Sequence, residues 1–337
     1  MNDGLDLLDP APPPAEPPAV VDEPRAFTTG RTRSDRIYRS AASGAGLLTL
    51  LLLVLIGTFL LIRAWPALSS QGLGFLTSTA WHPEQDPPVF GIAAIMYWTV
   101  VIAFIAMLIA VPVSILAALA LTEYAPPRLR KPLTSLVDLL AAIPSLIYGL
   151  WGLFYLQEKL VPFASWLSGL FSWIPIFAVP NQQFTQSAFM AGVVVSLMVL
   201  PVTTSVMREV FSQAPPGEKE AALALGSTRW GMIRTVVLPF GRGGIIGGSM
   251  LGLGRALGET IAVALIISPI FQINLNWLHT GANSVAALIA LRFGEANQSG
   301  LAALMAAGLA LFVVTLIVNM VASRIVARSR SGSGVEL

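Results

Sequence analysis

Six apolar runs, each about as long as a membrane's hydrocarbon core is thick, constrain this chain more than any other feature. Crossing roughly 30 Å of hydrocarbon takes about 20 helical residues. Runs of that order extend from Ala41 to Ile62, Tyr97 to Leu121, Leu133 to Leu156, Ala188 to Met207, Gly243 to Ile267 and Leu301 to Ile325. Lipid offers no partner to a backbone N–H or C=O, so such runs satisfy themselves as helices. The expected fold is an all-α membrane protein with six transmembrane helices. Pro112, Pro144 and Pro201 fall within spans, where neighbouring helices re-satisfy freed carbonyls, and are expected to kink them rather than break them. A seventh stretch, Phe163 to Phe177, is too short to cross and carries Trp166, Trp173 and Pro175, the marks of an interfacial helix. Only 11% of the 337 residues are charged, against about 25% in soluble domains, so the apolar surface needs lipid.

Charge placement sets the topology, because short cytoplasmic connections carry the Lys and Arg excess. Of the 20 basic residues, Arg63, Lys159 and Arg292 fall in one alternate set of connections and Arg255 falls inside a span. All the others lie before the first run, around Arg128–Lys131, between Arg208 and Arg242, or at and beyond the end of the last run. Both termini are therefore expected to be cytoplasmic. A net charge of +2 spread between apolar runs gives no nucleic-acid footprint. Residues 1–38 carry Pro10, Pro12, Pro13, Pro14, Pro17, Pro18 and Pro24 among acidic residues, a composition expected to form a disordered cytoplasmic tail. Acidic Asp3, Asp6 and Asp9 do not open a signal peptide. The membrane domain is placed at 39–328 and a short C-terminal tail at 329–337. Cysteine is absent, which removes disulfides and thiolate chemistry. His82 and His279 stand apart, without metal-ligand spacing.

The polar connection from Arg208 to Arg242 has helical grammar. Pro215 and Pro216 suit a first turn, Glu218 and Glu220 complement its positive end, and Gly226 stops it. Ser227 or Thr228 then caps a second short helix running towards Leu238 and Pro239. Glu220-Ala221-Ala222, Gly226, Val236 and Leu238-Pro239 resemble the EAA loop of the membrane subunits of binding-protein-dependent ABC importers, with Val236 where isoleucine is usual. The resemblance implies the type I importer permease architecture. It also implies that residues 212–240 dock into a separate ATP-binding subunit, through Glu220, Ala221, Ala222, Gly226, Leu238 and Pro239. The plainer alternative is a solvated amphipathic connector. No Gly-Lys dipeptide occurs, so the chain has no P-loop and should hydrolyse no ATP itself.

Arg255 lies roughly 18 Å along its helix, near mid-bilayer. A cation there costs about 2.5–3.5 kcal/mol, so it should face a partner or a water-filled path. Glu259 is expected one turn on, on the same face. Arg255 then contacts a passing oxyanion through its planar donor fork while Glu259 neutralises it between events. A buried structural ion pair is the plainer account. Gly243, Gly244, Gly247, Gly248, Gly252, Gly254 and Gly258 crowd the same run, so its backbone can approach a neighbour closely. Asp138 either faces the path or sits at the interface near Arg128, Arg130 and Lys131.

The segment from Gly254 through Arg255, Gly258, Glu259 and Thr260 to Val263 resembles the fifth-helix signature of phosphate-importer permeases. Leu139 to Gly152, with Pro144 and Ser145, is similar to their third-helix stretch, and Gly-Glu-Thr followed by Ile-Ala-Val favours the PstC type. The resemblance implies a phosphate pathway that includes Arg255, Glu259, Thr260, Pro144 and Ser145. It implies a PstA-type permease partner, two ATP-binding subunits that use Mg-ATP, and an extracytoplasmic phosphate-binding protein. It places the chain in a prokaryotic plasma membrane, with no cofactor of its own. A sulfate or molybdate permease is the nearest alternative, and a proton-coupled carrier using Glu259 is another. No arrangement of residues suits an enzyme.

Overall fold

A computed structural model describes residues 33–330, with side chains described through residue 325. The expected tail over 1–32 and residues 331–337 lie outside the described residues. The chain divides into two compact units, Met1–Leu53 and Val54–Leu337. Of the first, residues 33–53 form the start of helix α1 (Arg33–Gln71) with every side chain exposed. Its hydroxyl at Thr49 turns back to the Ala45 carbonyl at 2.9 Å, which keeps a polar group satisfied on an otherwise apolar surface. Residues 33–38, inside the stretch assigned to the tail, are therefore helical.

In the second unit, a short helix α2 (Gly74–Thr77) and an antiparallel hairpin, β1 (Trp81–His82) with β2 (Val89–Phe90), lead to α3 (Ala93–Leu119). A π-helical turn, Ala120–Tyr124, extends α3. Next come α4 (Pro127–Ala141), α5 (Ser145–Trp151), α6 (Gln157–Phe171) and α7 (Ala188–Ser212). The chain continues through α8 (Pro216–Ala224), α9 (Arg229–Met232), α10 (Leu238–Phe240) and α11 (Arg242–Leu257). It closes with α12 (Ile261–Ile266), α13 (Val285–Arg292) and α14 (Gln298–Arg330).

Four helices are long and apolar enough to cross a membrane: α1, α3 with its π turn, α7 and α14 up to Ile325. Two more spans exist only if each of two bent pairs is counted as one, Pro127–Ala141 with Ser145–Phe171 at 88° and Arg229–Phe240 with Arg242–Leu257 at 67°. Pro112 and Pro201 lie inside continuous helices, as expected. Pro144 does not merely kink its helix. Lacking an N–H and disfavouring helical geometry at Ile143, it sits at extended ψ 141° and separates α4 from α5. Nor is Phe163–Phe177 a separate interfacial helix, because α5 runs through a π-helical turn, Gly152–Leu156, into α6 and carries Phe163 to Phe171 with it. The expected single helix from Gly243 to Ile267 is likewise two pieces, parted at Gly258–Thr260.

Helices α3, α7 and α11 pack at the centre. A side chain on Gly192 of α7 would meet Ile105 of α3 at 2.5 Å. Along α11, Gly244, Gly248 and Gly252 are buried, and added Cβ atoms would meet Val210, Met207 and Thr203 of α7 at 2.5, 3.2 and 2.6 Å. The glycine-rich run thus seats itself on a neighbour within the same chain. Gly252→Leu should cost about 1–3 kcal/mol through overpacking. Gly247→Ala, which meets nothing within 4 Å, should leave stability unchanged. Thermal unfolding of the purified chain in detergent checks both.

Connections gather at opposite ends of the unit. At one end, Ser299 donates to the Pro83 carbonyl at 2.8 Å, Trp81 stacks on Phe271, and the Thr280 N–H reaches the Gln183 carbonyl at 3.0 Å. At the other, Lys219 of α8 meets Glu123 beyond α3.

Candidate translocation site and coupling segment

The interrupted fifth run organises the first candidate site. Arg255 occupies the last turn of α11 and is half-buried. The chain then leaves helical geometry at Gly258, and Thr260 Oγ1 donates back to the Gly258 carbonyl at 3.1 Å. Glu259 is buried at 8% exposure. Its Oε1 accepts the Ala262 N–H at 3.4 Å, satisfying an otherwise orphaned donor at the start of α12. The expected one-face pair of Arg255 and Glu259 is therefore absent: the helix ends between them, and the carboxylate serves the backbone instead. Among the described residues the ion pairs are Arg208–Asp138 and Lys219–Glu123, and Arg255 has neither an ion-pair nor a hydrogen-bond partner.

The two segments that carried the resemblance meet in space. A Cβ on Gly149 of α5 would lie 2.8 Å from the Ala262 Cα of α12, and one on Gly152 would lie 2.7 Å from Val194 of α7. Small residues at these points let α5 and α12 approach at backbone distance. The approach brings Tyr148 within electrostatic reach of Arg255, and the Tyr148 hydroxyl donates to the Leu140 carbonyl at 3.0 Å. Pro144 and Ser145 set the start of α5. Beside them runs an apolar groove of ≈ 320 Å³, lined by Ile143, Ile147 and Tyr148 and, on α7, by Leu197 and Pro201. Tyr148 was not singled out in the sequence, because its link to Arg255 spans two elements. Asp138 accepts from Ser205 at 2.8 Å and lies 3.7 Å from Arg208, so its partners are on α7 rather than among Arg128, Arg130 and Lys131.

The second candidate site is the connection between α7 and α11. Pro216 takes the first position of α8, and Gly226 ends the turn at φ +85°, a conformation that favours glycine. Its N–H bonds to the Leu223 carbonyl at 2.9 Å. Of the two candidate caps, Thr228 acts, accepting the Gly231 N–H at 3.1 Å. Ala222 packs with Leu238 on a core of Phe211, Met232 and Ile233, whereas Glu220, Ala221 and Pro239 are exposed. Leu225, beside the glycine, is 88% exposed, and Leu223 and Trp230 are exposed with it. The knob is held to the end of α3 by the Lys219–Glu123 pair, at 2.7 Å with both side chains largely buried. Sequence reading missed Glu123, which no motif marks.

A helical membrane unit built around an interrupted helix, with an exposed apolar knob between two core helices, has the form of a transport permease. Residues 110–331 match the family described as binding-protein-dependent transport system inner membrane component, and the chain belongs to that family. It is 43% identical over 299 residues to the phosphate transport system permease protein PstC 2 of Mycobacterium tuberculosis, covering 87% of this chain and 92% of that one. The PstC protein of Xylella fastidiosa is 41% identical over 293 residues, covering 86% and 90%. Among solved structures, a bacterial ABC transporter involved in importing alginate superposes with TM-score 0.50 at 21% identity. That match covers 87% of this chain and 99% of the other, a likeness of fold.

Proposed function

We propose that the chain is a PstC-type translocation subunit of an ATP-driven importer for inorganic phosphate. The observation that carries this reading is Arg255, a half-buried guanidinium with no carboxylate partner among the described residues, placed where α11 breaks off beside α5. Its planar fork matches phosphate oxygens, and the relatives' names as phosphate transport permeases point the same way. Glu259 and Thr260 shape the break after it, and Pro144 and Ser145, which open α5, complete the assigned pathway residues.

On this reading each bent pair is one span, giving six, and the basic residues put both termini in the cytoplasm. The alternating ends of the connections support that count. The proline-rich tail (1–38) and the end (329–337) then flank a permease domain at 39–328, in the plasma membrane of a prokaryote. The chain pairs with a PstA-type permease and receives phosphate from an extracytoplasmic binding protein. Two ATP-binding subunits hydrolyse Mg-ATP, one gripping the knob at 212–240 through Glu220, Ala221, Ala222, Gly226, Leu238 and Pro239. The chain itself is not an enzyme.

The test is labelled-phosphate uptake by cells expressing the full set of subunits. Uptake should stop when the ATP-binding subunit is inactivated, survive collapse of the proton gradient, and resist excess sulfate. Competition by sulfate would reassign the substrate, and dependence on the proton gradient would overturn the ATP-driven reading.

A further inference from the structure

The polar cluster between α4 and α7 lies outside the site described above. On α7, Leu197, Pro201, Ser205 and Arg208 recur at helical spacing and share one face. The first two line the groove beside Tyr148. The stripe then continues towards the knob and ends at Arg208, about 16 Å from Leu197 at 1.5 Å per residue.

Arg208 is held loosely at that end. Its Nη2 lies 3.7 Å from Asp138 Oδ1, beyond hydrogen-bond reach, and that oxygen already accepts from Ser205 at 2.8 Å. Arg208 Nε is buried without any acceptor, an unfavourable state for a charged donor. The Asp138 side chain is 52% exposed, against 23% for Arg208, so the carboxylate is a displaceable counter-charge rather than a lock. One turn back, buried Thr204 also has an unpartnered hydroxyl.

We propose that Arg208 is a second oxyanion-binding residue of the permease, which receives the anion at the inner end of α7 after it leaves Arg255, with Asp138 as the carboxylate that displaces it. This rests on the reading of the chain as a phosphate permease. A guanidinium fork with unused donors takes two phosphate oxygens at once. Conduction needs each site to bind well enough to accept the ion and weakly enough to release it. The neighbouring carboxylate supplies the weakening, by repelling the arriving anion and re-pairing with Arg208 when it departs. A lipid headgroup offers the same phosphate oxygens, so the test separates the two sources.

The experiment uses the complete importer in proteoliposomes, with ATP and graded inorganic phosphate in the lumen and binding protein with labelled phosphate outside. Asp138→Asn should lower the lumenal phosphate concentration that halves uptake by about threefold, the scale of an exposed ion pair. Arg208→Gln should raise it by at least as much, and Arg208→Lys, which keeps charge without the fork, should fall between and serves if the Gln variant fails to assemble. Equal losses in Asp138→Asn and Arg208→Gln, restored by the exchanged pair Arg208→Asp with Asp138→Arg, would reveal a helix-joining ion pair and overturn the proposal. Unchanged lumenal sensitivity would overturn it too. So would sensitivity that follows the phosphatidylglycerol content of the vesicles instead of lumenal phosphate. If the unaltered importer takes up no phosphate, the permease reading falls first. Normal uptake with indifferent variants removes the Arg208 inference alone.

Discussion

Arg255→Gln is expected to lower phosphate uptake at least about 30-fold while the assembled complex remains intact. Truncating a charged partner in a desolvated contact costs about 2–5 kcal/mol, and each 1.4 kcal/mol is a factor of ten. Assembly should survive because Arg255 makes no hydrogen bond or ion pair with the described residues, so its removal strands no partner among them. Gln also keeps most of the side chain's length and volume. Arg255→Lys should recover part of the rate, since it restores the charge without the planar fork. Uptake measured beside co-purification of all subunits checks the prediction. Near-normal transport by the Gln variant would remove Arg255 from the path.

The knob supplies the second large effect. Leu225, at 88% exposure, has no packing role in the isolated chain, yet burying a leucine against a partner contributes about 1.5–3 kcal/mol. Leu225→Asp should therefore weaken capture of the ATP-binding subunit by about 10- to 100-fold and leave the stability of the chain itself unaltered. Gly226→Val should act through the backbone, because φ +85° costs a substituted residue about 1–2 kcal/mol. Gly226→Asn, whose side chain tolerates that conformation, should cost less. Nothing lies within 4 Å of a Cβ at Gly226, so steric contact cannot explain any difference between the two. Pull-down of the ATP-binding subunit, with ATP turnover read alongside uptake, tests all three. Undiminished capture by Leu225→Asp would place the docking surface elsewhere.

What could be read from the sequence was what local chemistry decides. The apolar runs gave the helical membrane character, and Pro216, Gly226 and Thr228 act in the structure at the positions that capping rules assign them. Hydropathy did not reveal where helices break. It averages over a window, so the run through Leu133–Leu156 looked continuous although the chain bends by 88° across Pro144. The run through Gly258 likewise gave no sign that Glu259 would turn to the backbone. Pairings between distant elements were equally hidden. Glu123 with Lys219, and Asp138 with Ser205 and Arg208, each depend on helices meeting, which no periodicity along one strand of sequence encodes. The resemblance to phosphate-importer permeases identified the right segments. It could not say that they touch through Gly149 and Ala262.

The two backbone interruptions, at 142–144 and 258–260, flank that Gly149–Ala262 contact. Peptide groups left outside helical ladders cannot face hydrocarbon and are tolerated at membrane depth only when sheltered by protein or wetted. If both segments lie within the bilayer, their free peptide groups must find protein partners or water whatever side chains they carry. A seam between half-helices that accommodates open backbone thus precedes any binding chemistry, and Arg255 ends the helix before one of its breaks.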